Sequence, residues 1–155
     1  MPTITPWLWL DTEAEEAAEH YTSIFPRSRV VEVTRYGSAG PRPAGMAMTV
    51  QFELDGQTFF ALNGGPEQRP SEAVSFQVDC ADQAEVDHYW GALSEGGEEG
   101  PCGWLKDRYG FSWQIVPRRL VELLRDPDAE RAQRVMQAML KMGKIQVDEL
   151  ERAAA

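Results

Sequence analysis

"LWLDTEAEEAAEHYTSIF" (residues 8–25) and "FQVDCADQAEVDHYWGAL" (residues 76–93), set one above the other at an offset of 68, read as one unit written twice. Asp11 falls on Asp79, His20 on His88 and Tyr21 on Tyr89, and the apolar pairs Leu8/Phe76, Leu10/Val78 and Phe25/Leu93 coincide. Such a repeat constrains architecture more firmly than local propensity, because each copy must be a complete supersecondary unit. Each copy is an alternating strand ending in Asp, followed by a helix; Ala17, Ala18, Tyr21, Ile24 and Phe25 give the first helix its apolar spacing.

Working outward, "SRVVEVTRY", the loop "GSAGPRPAG" and "MAMTVQFEL" come after the first helix, then an Asp55-Gly56 hairpin signal and "QTFFALN". That is β-α-β-β-β. After the second helix, "GGEEGPCGWLKDRYGFSWQIVP" is shorter and glycine-rich but holds three short strands, with Gly110 answering Gly56 at an offset of 54. The expected fold is α+β: two β-α-β-β-β modules, 1–66 and 67–117, forming a curved mixed sheet around a hollow, plus a helical extension over 118–155. Ligands belong in such a hollow.

A chain of 155 residues with 43% hydrophobic and 26% charged residues is a globular domain able to bury a sizeable core. The formal charge of -10 opposes nucleic acid, whose phosphates require clustered Lys and Arg. No apolar run is long enough to span a membrane, and the N-terminus lacks the pattern of an export leader, so a cytoplasmic location is expected. Cys80 and Cys102 read as two free thiols. "NGGP" (63–66) reads as hairpin-type punctuation.

With the repeat in place, the stretch from "LNGGPEQRP" through "GWLKDRYGFSWQIVP" (62–117) resembles the PhnB-like branch of the vicinal oxygen chelate superfamily, the fold of glyoxalase I, bleomycin-resistance proteins and extradiol dioxygenases. Members of that branch often bear the name 3-demethylubiquinone-9 3-methyltransferase. The tail "DPDAERAQRVMQAMLKMGKIQVDELERA" is similar to the segment that branch carries after its second unit. The resemblance implies a divalent metal held by His, Glu or Gln from the first and last strands of each unit, with vacant positions for substrate oxygens. Carried over, those places fall near Thr5, Ala73, Phe60 and Gln114, of which only Gln114 is a good donor. No metal and no cofactor are therefore expected. Gln114 stands where active relatives place a glutamate, either as a hydrogen-bonding remnant or as a ligand contact.

Strand alternation then puts Trp7 and Trp9 on Thr5's face, and Ser75 and Gln77 on Ala73's, with Val74, Phe76 and Val78 turned to the helices. Phe60, Leu62, Gln114 and Trp104 complete a lining of aromatic faces with a few amides, suited to a flat or apolar organic molecule. Trp7 and Trp9 serve a ligand or a dimer contact equally well. Cys102 is the one candidate nucleophile, and Lys106 and Asp107 read as turn and surface residues. The two histidines, His20 and His88, read as helix residues.

Asp126 can cap a helix with Pro127 in its first position, and Val135, Met136, Met139, Leu140 and Met142 form a stripe that covers the domain or crosses to a second subunit. The expected function is metal-independent binding of a small organic or aromatic ligand by a homodimer. The alternatives are a metal-dependent lyase, isomerase or dioxygenase acting through Gln114, a Cys102 lyase or isomerase, or the transferase that the branch name suggests.

Overall fold

The computed structural model describes residues 2–155. Two compact units meet between Pro70 and Ser71. In the first, β1 (Trp7–Leu10) leads to α1 (Ala14–Ile24), β2 (Arg29–Arg35), β3 (Ala47–Leu54) and β4 (Gln57–Asn63), in a mixed sheet ordered β1-β4-β3-β2. In the second, β5 (Ser75–Cys80), α2 (Gln83–Ser94), β6 (Glu98–Glu99), β7 (Trp104–Lys106) and β8 (Ser112–Pro117) give the order β5-β8-β7-β6, and α3 (Arg118–Leu124), α4 (Ala129–Met139) and α5 (Val147–Ala154) complete the chain. The fold is α+β with the β-α-β-β-β unit repeated, as the sequence implies.

Alternation decides the layers. Leu8 and Leu10 are buried while Trp7 and Trp9 face outward, and Val50, Phe52, Phe59 and Ala61 join Tyr21 in the core beneath α1. The β3–β4 turn is a two-residue hairpin in which Asp55 and Gly56 have φ of 47° and 82°, the paired left-handed conformation that matches strand twist. Asp82 caps α2 by accepting from the Glu85 amide at 3.0 Å. Helix α1 has no such cap of its own. Buried Asn63, at the end of β4, supplies it instead, accepting from Ala14 N at 2.9 Å and donating to Ala47 O at 2.9 Å.

The pairing corrects the repeat alignment. Phe60 and Gln114 are each the last-strand partner of the first strand, opposite Trp7 and Gln77 respectively. The strand ends agree, with Leu10 against Asn63 and Cys80 against Pro117. The first strands therefore correspond two residues further along than the identities suggest, so Thr5 answers Ser75 rather than Ala73. In the helices, the buried positions Ala17, Tyr21 and Ile24 answer Val86, Trp90 and Leu93, one residue further along. His20 and His88 are thus not equivalent. Val74, expected in helix packing, precedes β5 and is 70% exposed.

The extension closes on itself. Leu120, Leu123, Val135, Met142, Ile145, Leu150 and Ala154 form one buried cluster, so most of the methionine-rich stripe packs in cis; Leu140 stays exposed. Helix α4 is capped by Asp128, which accepts from Glu130 N and Arg131 N, and not by Asp126, which instead accepts from Asp128 N at 2.8 Å. Arg131 and Arg134 donate to the Ala154 and Ala153 carbonyls, satisfying the end of α5. Among the described residues no helix is long and apolar enough to cross a membrane.

Candidate functional site

Each sheet has a face turned away from its helix, and the predicted site residues lie on those faces. In the first unit Trp7 stacks on Phe60 with ring centroids 4.4 Å apart and planes 7° apart, yet Trp7 remains 54% exposed. The ladder aligns Trp7 with Phe60 and Gln51, and Trp9 with Leu62 and Thr49, on this one surface. Trp9 is partly taken up internally. Its indole N–H donates to Gly65 O at 2.8 Å, and a Cβ on Gly64 would lie 2.3 Å from the ring. "NGGP" is therefore a seat for an indole rather than hairpin punctuation. It opens no helix, so it lacks the amide terminus on which nucleotide-type phosphates rest.

In the second unit two rows run across the sheet: Gln77, Gln114 and Trp104, and beside them Ser75, Ser112, Lys106 and Glu98. Ser75, Gln77, Trp104 and Gln114 thus share a face. Gln114 donates to the Ser75 hydroxyl at 2.9 Å, while exposed Gln77 donates to Asp79 at 2.7 Å. Because Thr5 answers Ser75 and Phe60 answers Gln114, the places where the resemblance implies metal ligands hold a threonine before β1, a phenylalanine, and a neutral serine–glutamine pair bonded to each other. That donor set does not fit a divalent ion, which requires several anionic or imidazole donors. Among the described residues no three His, Cys, Asp or Glu side chains gather as a metal site.

The second sheet also carries a cleft of about 510 Å³, lined by Glu72, Glu98, Glu99, Gly100, Pro101, Trp104, Leu105, Lys106 and Ser112. Lys106, expected to be a plain surface residue, reaches Glu72 at 2.5 Å across this cleft. The pair holds the Glu72 carboxyl below its usual range and the Lys106 ammonium above its own. Glu99 accepts from the Trp90 indole at 3.1 Å. Ser112 is 3% exposed, and its hydroxyl has no hydrogen-bond partner among the described residues. Strand alternation sets Ser112 on the same face as Gln114; nothing in the sequence pointed to Glu72.

The β7–β8 turn sets Lys106 and Ser112 opposite each other. Asp107, expected on the surface, is its buried centre at 2% exposure. One carboxylate oxygen accepts from Tyr109 N at 2.9 Å and Phe111 N at 3.0 Å, and the other from the Trp113 indole at 2.9 Å. The cleft's glycine wall is held by the C-terminal segment: Cys102 N donates to Met142 O and Gly103 N to Gly143 O, both at 2.8 Å. Cys102 and Gly103 have φ of 58° and 85°, a left-handed pair that these bonds help maintain. Gln83 ties the same segment to α2, donating to Ile145 O at 3.0 Å and accepting from Val147 N at 2.7 Å. Both cysteines are free thiols, and burial, aided by Glu85, Asp79 and Asp82, pushes Cys80 up to about 12.

The profile of the family described as 3-demethylubiquinone-9 3-methyltransferase matches residues 2–116. Among solved structures, the PhnB protein from Bacillus cereus, which bears the same methyltransferase name, is 32% identical with a TM-score of 0.65, over 75% of this chain and 99% of its own. A protein from Pseudomonas aeruginosa has 20% identity and a TM-score of 0.64, over 76% and 98%. The genomically encoded fosfomycin resistance protein FosX from Listeria monocytogenes has 16% identity and a TM-score of 0.55, over 81% and 98%. These last two show the fold alone. No curated protein matches the chain. The profile ends before α3, so the expected likeness of the tail finds no support in it. From the profile and the Bacillus cereus relative together, the chain belongs to the PhnB-like 3-demethylubiquinone-9 3-methyltransferase family of the vicinal oxygen chelate superfamily.

Proposed function

We propose that the chain binds a small aromatic molecule as a homodimer, with Ser75, Gln77, Trp104 and Gln114 of the second sheet as contact residues and Trp7, Trp9 and Phe60 of the first sheet as a separate aromatic contact surface. The observation that carries the reading is the cleft of about 510 Å³ in the second unit, which Trp104 lines while Ser75, Gln77 and Gln114 share its sheet face without lining it; its volume is within the range of small-ligand sites. The exposed Trp7–Phe60 stack is a separate flat surface within the first unit. Binding is favoured over turnover by the chemistry of the side chains: Gln114 and Ser75 are occupied with each other.

The test is a panel of aromatic metabolites and antibiotics, with S-adenosylmethionine included, read by thermal shift and tryptophan fluorescence. A ligand at a hundred times its Kd stabilises by about 2.7 kcal/mol, and Trp104→Ala should abolish that shift. The reading fails if no compound shifts the melting temperature or quenches fluorescence. Methyl transfer from S-adenosylmethionine would establish the transferase instead, and sedimentation at one chain mass would refute the dimer.

A further inference from the structure

Resting on the proposal that the chain binds a small aromatic molecule, we propose that the cleft beside Trp104 takes an organic cation carrying a flat ring: the ring lies against Trp104, the positive group faces Glu98 and Glu72, and the ligand pairs with the Ser112 hydroxyl.

Charge makes the first argument. Glu72, Glu98 and Glu99 line the cleft against a single ammonium, that of Lys106. Lys106 is already engaged by Glu72 at 2.5 Å, so an incoming anion would meet a matched cation and the further carboxylate of Glu98, while that of Glu99 is turned to the Trp90 indole. The net charge of -10 extends that bias over the approach to the cleft. A cation avoids the repulsion, and an aromatic one also gains from the indole face of Trp104.

Ser112 makes the second argument, independently of charge. The residue is buried at 3% exposure and lines the cleft, and its hydroxyl has no hydrogen-bond partner among the described residues. Buried polar groups are almost always paired, because leaving one unmatched forfeits its hydration. Fixed on β8 opposite Lys106, this hydroxyl is placed to accept from, or donate to, a ligand reaching the cleft floor.

Three probes on one skeleton test the proposal by calorimetry and by the Trp104 indole N–H resonance: tryptamine, neutral tryptophol and anionic indole-3-propionate. Tryptamine should bind about tenfold more tightly than indole-3-propionate, with tryptophol between. Glu98→Gln, at an exposed position, should weaken tryptamine by about fivefold and leave tryptophol unchanged, the scale of a solvent-screened pair. Ser112→Ala should weaken both. If tryptophol or indole-3-propionate equals tryptamine, or if none of the three binds while another aromatic in the wider panel does, the cation assignment is overturned and the binding reading stands. If nothing in either set binds, both fall.

Discussion

Replacing Asp107 tests whether the β7–β8 turn is held from within. In Asp107→Ala the buried Trp113 indole N–H loses its carboxylate acceptor, at about 1–3 kcal/mol, and the amides of Tyr109 and Phe111 lose acceptors at roughly 1 kcal/mol each. The sum is about 3–5 kcal/mol, a fall in Tm of about 10 °C for a chain of this size. Asp107→Asn can keep the amide acceptor but places an NH2 against the indole, so about half that loss is expected. Trp113→Phe removes the orphaned donor, so Asp107→Ala/Trp113→Phe should be less destabilising than the two single losses added, by about 1–2 kcal/mol. Urea unfolding monitored by circular dichroism, with melting curves alongside, reads all four proteins. If Asp107→Ala melts with the parent protein, or the double variant is strictly additive, the carboxylate does not organise the turn. Lys106 and Ser112 then owe their placement to the ladder alone.

Asn63→Ala should cost about 2–3 kcal/mol, since it uncaps α1 and frees Ala47 O together; a midpoint in urea unchanged from the parent would contradict this. For the thiols, a disulfide reagent at pH 8 should modify Cys102 promptly and Cys80 only after unfolding. The folded state holds the Cys80 proton more tightly than the unfolded state does, so that contribution is intact below pH 9.0 and declines as pH rises towards about 12. Stability rising over that window would refute the assignment. Gln83→Ala should speed hydrogen exchange at Val147, Cys102 and Gly103 with little effect on β3 and β4; unchanged exchange at those three amides would show that the tail is held by its apolar cluster alone.

The faces of both sheets were legible in the sequence even though the repeat alignment was not. The identities at Asp11/Asp79 and His20/His88 drew the first strands two residues out of register. A slip of two preserves strand alternation, so Trp7, Trp9, Ser75 and Gln77 were still assigned to the correct side. A helix has no such protection, and there the slip of one paired Tyr21 with Tyr89 instead of buried Trp90. Asp107 reads as a surface residue because a charged side chain beside a turn usually points to water, and only its tertiary partners show otherwise, whereas its neighbour Lys106 is at the surface as expected. Asn63 acts across 49 residues of sequence, a distance at which no local pattern can announce a cap.

The hydrogen bonds from Cys102 and Gly103 to Met142 and Gly143 mean that one rim of the cleft depends on residues beyond the reach of the family profile, which stops at residue 116. If the cleft binds as proposed, relatives sharing every strand would diverge in ligand preference through their tails. Selection acting on residues 140–147 could reshape the rim while leaving the aromatic floor untouched, so grafting this segment onto a shorter homologue offers a route to altered specificity.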